Sequence, residues 1–278
     1  MSDAVASAEE ASRQSRRGAS VITYLEAGAE SAPATPLVLL HGIGSAARSF
    51  RFQLDGLSSR RRVIAWDAPG YGGSTALTPL SPTAEDYAAR LLALLDDLEI
   101  ERCHLLGHSL GCLMAARFAL RHPGRVQTLS LCGIATGHGP LAAEERQKLL
   151  DQRVNDVNTM GPKEMAAKRG PRLCAPGAAS ETIQRVIDTM SSVRPDGYAQ
   201  AARMLSTGDT KADVAALPAD LSLQIVYGEA DVITPPARNL EVAALRPGVR
   251  VTDIPAAGHA LYLEQPEAFN KAIESFLL

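Results

Sequence analysis

Short apolar runs bounded by Gly, Pro or Asp alternate along the chain with longer segments whose apolar residues recur at helical spacing. The runs occupy residues 21–25, 37–40, 63–66, 103–106, 126–132, 223–227 and 249–254, and their lengths and borders predict strands. Between the third and fourth of them, Tyr87, Leu91, Leu94, Leu95 and Leu98 form one apolar stripe, which predicts a helix over residues 84–98 packed on a sheet. Strands alternating with helices in this way predict an α/β fold, a mostly parallel doubly wound sheet with helices on its faces.

The alternation stops after Cys132. Residues 138–211 are helix-like, rich in Arg, Lys, Met and Ala, and punctuated by Gly161-Pro162, Gly170-Pro171, Pro176-Gly177 and Pro195-Asp196-Gly197. Strand character then resumes at Leu223. The simplest organisation is one core, residues 21–137 and 212–278, carrying a helical cap, residues 138–211, inserted between two strands. A second independent domain is the competing arrangement; insertion is preferred because both ends of the segment return to one strand pattern. Residues 1–20 are small and polar, lack an apolar run of signal-peptide length and read as a disordered tail. Arg13, Arg16 and Arg17 are the argument for a targeting extension instead. The longest stretch without formal charge, residues 126–143, is broken by Gly133, Gly137, Gly139 and Pro140, so no membrane span is expected.

Composition narrows the partners. The 278 residues suit one large α/β domain with an insertion. Lys plus Arg number 28 against 31 Asp plus Glu, a formal charge of −3, so neither nucleic acid nor an acidic membrane is an expected partner. A hydrophobic fraction of 46% with 21% charged residues excludes general disorder and fibrous repeats. Cys103, Cys112, Cys132 and Cys174 form no CxxC pair and no zinc-type spacing, which reads as thiols in a reducing compartment, and the expected location is cytoplasmic. Phosphate-binding glycine loops, dinucleotide fingerprints and metal-ligand clusters are missing from the sequence, so no cofactor and no metal are expected.

The sharpest chemical signal is GHSLG at residues 107–111, directly after the strand-like CHLL and before a helical run from Leu113. A serine at a tight strand-to-helix turn is lifted clear of the sheet, and small flanking residues, here Gly107 and Gly111, give the backbone room. The helix N-terminus beneath it aims N–H groups at a developing anion. An ordinary capping serine is the plainer alternative. A serine hydroxyl needs a base. Of six histidines, His104 lies in a predicted strand, His122 precedes Pro123, His138 opens the cap, His108 adjoins Ser109 with its side chain pointing away, and His41 begins HGIGS. His259 remains, in the small-residue loop PAAGHA after the last predicted strand, and is the expected base. Asp231, in YGEADVITPP after strand 223–227, is the expected acid that orients it, with Glu229 the local competitor. No carboxylate follows strand 126–132, where the sequence reads GIATG. Oxyanion donors are expected from the N–H groups of Leu110 and Ile43, the latter in the loop where Gly42 and Gly44 let backbone approach substrate. The WDAPGYGGS loop is assigned shape only, with Asp67 outside the chemistry.

HGIG at residues 41–44, DAPGYGGS at 67–74, GHSLG, Asp231 and GHALYLEQPEAF at 258–269 resemble, in this order and over nearly everything from Val21 onward, the α/β-hydrolase superfamily in its serine branch. PDGYAQAARMLSTGDTKADV at residues 195–214 and the LEQPEAF segment are similar to bacterial 3-oxoadipate enol-lactone hydrolases and related small esterases, many of which carry glycine where this chain has Cys112. The resemblance implies cleavage of a carboxylic ester or (enol-)lactone through an acyl-enzyme on Ser109. Carbon–carbon hydrolases of ring-cleavage products stand as the alternative. They usually carry Trp after the histidine, where this chain has Ala260, and an arginine in the cap, where it has seven. A non-catalytic ligand-binding protein of this fold is the third reading. The cap carries a formal charge of +2 and the rest −5, so an anionic small-molecule substrate steered by a cap arginine competes with simple solvated helix faces.

Overall fold

A computed structural model describes residues 12–277. Eight strands, β1 (Arg13–Arg17), β2 (Ser20–Ala27), β3 (Ala34–Leu40), β4 (Arg61–Trp66), β5 (Cys103–His108), β6 (Val126–Cys132), β7 (Ser222–Gly228) and β8 (Arg250–Ile254), form one sheet in the order β1-β2-β4-β3-β5-β6-β7-β8. β1 with β2 and β2 with β4 are antiparallel; every later pairing is parallel. The helices are α1 (Arg51–Leu57), α2 (Ala84–Asp97), α3 (Gly111–Arg121), α4 (Ala143–Thr159), α5 (Gly161–Arg169), α6 (Ser180–Ser191), α7 (Pro195–Thr207), α8 (Thr210–Ala215), α9 (Pro236–Ala243), α10 (Leu261–Glu264) and α11 (Pro266–Glu274).

The period of two along each strand divides its side chains between two cores. Leu37 and Leu39 of β3 and Val63 and Ala65 of β4 face the side filled by Leu54 of α1 and Phe269 and Ile273 of α11. Val38, Leu40, Ile64 and Trp66 face the opposite side, filled by Leu91 and Leu95 of α2, Phe118 of α3 and Val242 of α9. Runs that are apolar throughout therefore mark strands covered on both faces, the arrangement that parallel crossovers require. Of the predicted stripe, Tyr87, Leu91, Leu94 and Leu95 are buried and Leu98, just past the end of α2, is partly so, and Asp86 anchors the start of the helix by accepting the Thr83 N–H at 2.7 Å.

The sheet gains one strand that sequence did not predict. Of the expected disordered tail over residues 1–20, residues 1–11 lie outside the described residues, while Arg13–Arg17 pairs with β2 as an edge strand. Its sequence, RQSRR, has no apolar run, because only Ser15 is buried. Ser15 Oγ donates to Asp97 at 2.5 Å, and Arg13 and Arg17 pair with Glu26 and Asp97. Charge on such an edge also discourages pairing with another chain.

Between β6 and β7 the chain runs through α4 to α8. These helices share the core rather than enclosing one of their own: Val157, Met165, Tyr198 and Met204 belong to the same buried cluster as the sheet residues. α7 approaches the loop after β4 so closely that a Cβ on Gly197 would stand 2.0 Å from Gly70 O. Gln200 ties the same helix to Leu77 and Pro79.

Candidate active site

Ser109 stands at the turn from β5 into α3 with φ 54°, the left-handed region that a non-glycine residue occupies at a cost of about 1–3 kcal/mol. The surroundings hold it there. Its N–H donates to Cys132 O at 2.9 Å, and its carbonyl accepts the Cys112 N–H at 3.0 Å. A Cβ on Gly107 would lie 2.4 Å from Gly111 O, and one on Gly111 only 2.2 Å from Leu40 O, so the turn is wedged between β5 and β3. Gly42 passes just as close: a Cβ there would stand 3.0 Å from Ser109 Cβ. Gly44 faces Met190 Cε, a flexible side-chain end, at 2.6 Å on the same construction. The Cys112 thiol donates to Gly107 O at 3.1 Å and is fully buried, and burial pushes it up to about 12, so it fills its site as a neutral thiol.

The loops after β7 and β8 bring Asp231 and His259 together. His259 Nδ1 lies 2.8 Å from Asp231 Oδ2. Asp231 Oδ1 accepts the N–H groups of Ile233 and Thr234 at 2.7 and 2.9 Å, and Oδ2 also accepts the Thr234 hydroxyl at 2.7 Å. Burial pushes this carboxyl up, but the bonds from His259 and Thr234 outweigh it and hold Asp231 below its ordinary value. Asp231 is thus an ionised acceptor, which places a ring proton on His259 Nδ1 and turns Nε2 away from the carboxylate. Glu229, the neighbouring carboxylate, is exposed and faces the Ala256 N–H at 3.4 Å. Asp67 is spent on the Ala47 N–H and the Thr23 hydroxyl, at 2.9 and 2.8 Å.

The other strand-end histidines have their own partners. His104 bonds Thr128 Oγ1 at 2.8 Å. His41 Nε2 accepts the Ala68 N–H at 3.0 Å, so its Nδ1–H donates to Gly42 O at 2.8 Å and braces the Gly42–Gly44 loop. His108 is buried beside Ser109, and its Nε2–H donates to His259 O at 2.8 Å. Burial, with His259 close by, pushes His108 down to about 3, so it stays neutral.

Ser109, His259, Ile43 and Leu110 all line one cavity of about 590 Å³. The N–H groups of Ile43 and Leu110 have no acceptor among the described residues. Tyr71 holds the Ile43 peptide in place by donating to its carbonyl at 2.8 Å. Ser109 Oγ makes no hydrogen bond to the imidazole in this arrangement, although both groups face the cavity; such bonds often tighten only with substrate bound. Sequence reasoning missed Thr234, which bonds Asp231 and sits 3.1 Å from His259 Nδ1. It also missed Glu264, whose carboxylate accepts the N–H groups of Ala175, at 2.7 Å, and Gly258, at 2.9 Å. Glu264, together with the Ala260 N–H donating to Leu173 O at 2.8 Å, ties the His259 loop to the helical segment. Thr234 was legible only as the residue three after Asp231, and Glu264 only as part of LEQPEAF.

Among the described residues no three His, Cys, Asp or Glu side chains are grouped to hold a metal ion, and no helix is long and apolar enough to cross a membrane. Chemically, the cavity offers a hydroxyl on a strained backbone, an imidazole oriented by a carboxylate and two unspent N–H donors.

Residues 37–272 match the family model described as the alpha/beta hydrolase family. The chain is 29% identical over 87% of its length to a pimeloyl-[acyl-carrier protein] methyl ester esterase of Aeromonas hydrophila, of which the match covers 94%. It is 28% identical over 89% of its length to a 2-hydroxymuconate semialdehyde hydrolase of a Pseudomonas species, covering 88% of that protein. The crystal structure of the enol-lactonase from Burkholderia xenovorans superposes with a TM-score of 0.84 at 23% identity, over 95% of this chain and 99% of that one. With most of β3, all of β4 to β8 and nearly the whole core inside the match, the chain belongs to the α/β-hydrolase family and is a hydrolase close to the small bacterial esterases.

Proposed function

We propose that the protein is a serine hydrolase that cleaves a carboxylic ester or lactone. The observation that carries this reading is the Asp231–His259 bond of 2.8 Å facing the same cavity as a serine held at φ 54°. A binding protein has no use for a strained serine opposite an oriented base. His259 Nε2 takes the Ser109 proton as Oγ attacks the carbonyl, and the oxyanion settles on the N–H groups of Ile43 and Leu110. The imidazolium then gives its proton to the leaving oxygen, while Asp231 stabilises the positive ring. Water, deprotonated by the same nitrogen, hydrolyses the acyl-enzyme. The helical segment between β6 and β7 acts as the cap that shapes the acyl and alcohol pockets and shields them from solvent. Carbon–carbon hydrolysis of a vinylogous diketone is a second reading, motivated by the 28% identity to the semialdehyde hydrolase.

Ser109→Ala is the test. It is expected to abolish both turnover of activated esters and covalent labelling by a fluorophosphonate, with the circular dichroism spectrum unchanged. Labelling that persists in the variant removes Ser109 from the mechanism. Faster turnover of a vinylogous diketone than of any ester or lactone moves the activity to the second reading.

A further inference from the structure

One buried histidine beside the cavity takes no part in the chemistry above. His108 is the last residue of β5, paired there with Cys132 of β6, and its side chain is buried. Only one of its two ring nitrogens is spent. Nε2–H donates to His259 O at 2.8 Å, while Nδ1 is shut away from solvent with no hydrogen-bond partner. Gly42 lies beside that nitrogen: a Cβ built there would stand 3.4 Å from Nδ1. A buried acceptor left unpaired costs the fold its desolvation, and an apolar ring would fill the same space without that cost. Packing alone therefore does not call for histidine at this position, and the one bond the ring makes goes to the main chain of the expected base.

Ser109 follows β5 and His259 follows β8, so alignment of the two through the sheet alone passes through three strand pairings, β5 with β6, β6 with β7 and β7 with β8. The His108 bond joins the ends directly. Around it, the other peptides of the His259 loop have their own anchors: Glu264 accepts the Gly258 N–H at 2.9 Å, Leu173 O the Ala260 N–H at 2.8 Å, and Ala257 O the Ala230 N–H at 2.9 Å. His259 O has no other donor among the described residues. The His108 ring has little room to turn, because the His259 ring lies 4.8 Å from it at a tilt of 47° and Tyr262 meets it edge-on at 4.8 Å. The anchor is thus set before any substrate arrives.

We propose that His108 is a positioning residue, whose Nε2–H holds the His259 carbonyl, and through it the imidazole, in line with Ser109. This inference rests on the serine-hydrolase reading and adds to it a group that acts through His259 and transfers no proton of its own.

The test separates the ring from its donor. His108→Phe and His108→Leu both remove the N–H, the second guarding against strain from the larger ring, while His108→Gln places an amide N–H₂ near the position of Nε2. Each donor-free variant exchanges one unpaired buried acceptor, Nδ1, for another, His259 O, so the thermal midpoint is expected to move by no more than about 4 °C. On para-nitrophenyl butyrate, kcat is expected to fall about 10–100-fold in both with KM within about twofold of the wild type, and the rate of fluorophosphonate labelling to fall with kcat. His108→Gln is expected to recover most of both losses. In the free protein, the proton NMR signal of His259 Nδ1–H, bonded to Asp231, is expected to be lost to exchange in His108→Phe and kept in His108→Gln. Wild-type kcat and labelling rate in the donor-free variants overturn the proposal, and so does a Gln variant as slow as the Phe variant, because a residue that only fills space is not rescued by a donor. If the wild type neither cleaves esters nor takes the label, the hydrolase reading falls and the Nδ1–H signal decides by itself: its selective loss in His108→Phe keeps His108 as the anchor of His259, and its equal persistence in both variants removes it.

Discussion

Gly111→Ala adds one methyl group to the tightest point of the turn at Ser109. Built on the native backbone, that carbon would stand 2.2 Å from Leu40 O, 2.8 Å from Leu40 C and 3.0 Å from His41 O, all main-chain atoms. An ordinary C···O contact is about 3.3 Å, so the start of α3 and the end of β3 must separate by roughly 1 Å. Gly111 does not have positive φ, so the cost is steric alone. Two effects oppose each other. Alanine in place of glycine in a helix stabilises by about 0.5–1 kcal/mol, while overpacking a close-packed site costs about 1–3 kcal/mol. The overlap is with backbone that cannot swing aside, so the net effect is destabilising. The separation also pulls Leu110 N–H from Ile43 N–H, one on each side of the contact. Misplacing such donors by about 1 Å costs about 10²-fold in rate. The assay is kcat/KM on an activated ester beside the thermal midpoint, with Gly124→Ala as control, because a Cβ there meets nothing within 4 Å. Gly111→Ala is expected to lose both activity and stability, and Gly124→Ala neither. A Gly111→Ala enzyme as stable and as active as the wild type would refute the claim that this contact spaces the oxyanion donors.

Asp231→Asn presents an amide N–H₂ to His259 Nδ1 or breaks the bonds from Ile233 and Thr234, so kcat is expected to fall by about 10³–10⁴ with little change in KM; a fall of less than about tenfold would show that His259 needs no ionised partner. The native Asp231 carboxyl lies below its unfolded value, so it stabilises the fold above about pH 4, and that contribution is lost as the pH falls through the lower native value. Thermal midpoints measured from neutral to acid pH should therefore drop more shallowly in Asp231→Asn than in the wild type, and parallel curves would contradict the bonding seen at this carboxylate. Glu264→Gln replaces one of two acceptors with a donor facing a backbone N–H, so the bond to Ala175 or to Gly258 is lost, at about 1–3 kcal/mol. Hydrogen exchange is expected to rise at Gly258 and Ala260, and unchanged protection at both would show that Glu264 does not hold the His259 loop to the helical segment.

The apolar runs and their spacing foretold seven of the eight strands; in the interior of the sheet, as at Leu37–Leu40 and Val63–Trp66, this is because a strand covered on both faces must be apolar throughout, whereas β8 at the edge buries only Ile254. The exception, Arg13–Arg17, buries a single serine and is held by ion pairs to Glu26 and Asp97, partners that no local pattern points to. The turn at Ser109 was equally legible. A serine between two glycines at a strand-to-helix junction announces its own strain, and the structure adds only which atoms the glycines must avoid.

What residue order could not supply was everything that depends on separate loops converging. That Asp231 rather than Glu229 faces His259 is decided by where the turn after β7 points, and that Thr234 joins them is decided by the same turn. Seven arginines in the segment between β6 and β7 were equivalent in the sequence; folding brings Arg153, Arg169 and Arg172 to the wall of the cavity and pairs only Arg169 of these three with a carboxylate, that of Asp156. Hydrophobic period and turn chemistry are local and survive in the string of residues, whereas electrostatic partnership is set by distances through space, which exist only once the sheet has closed and its loops have met.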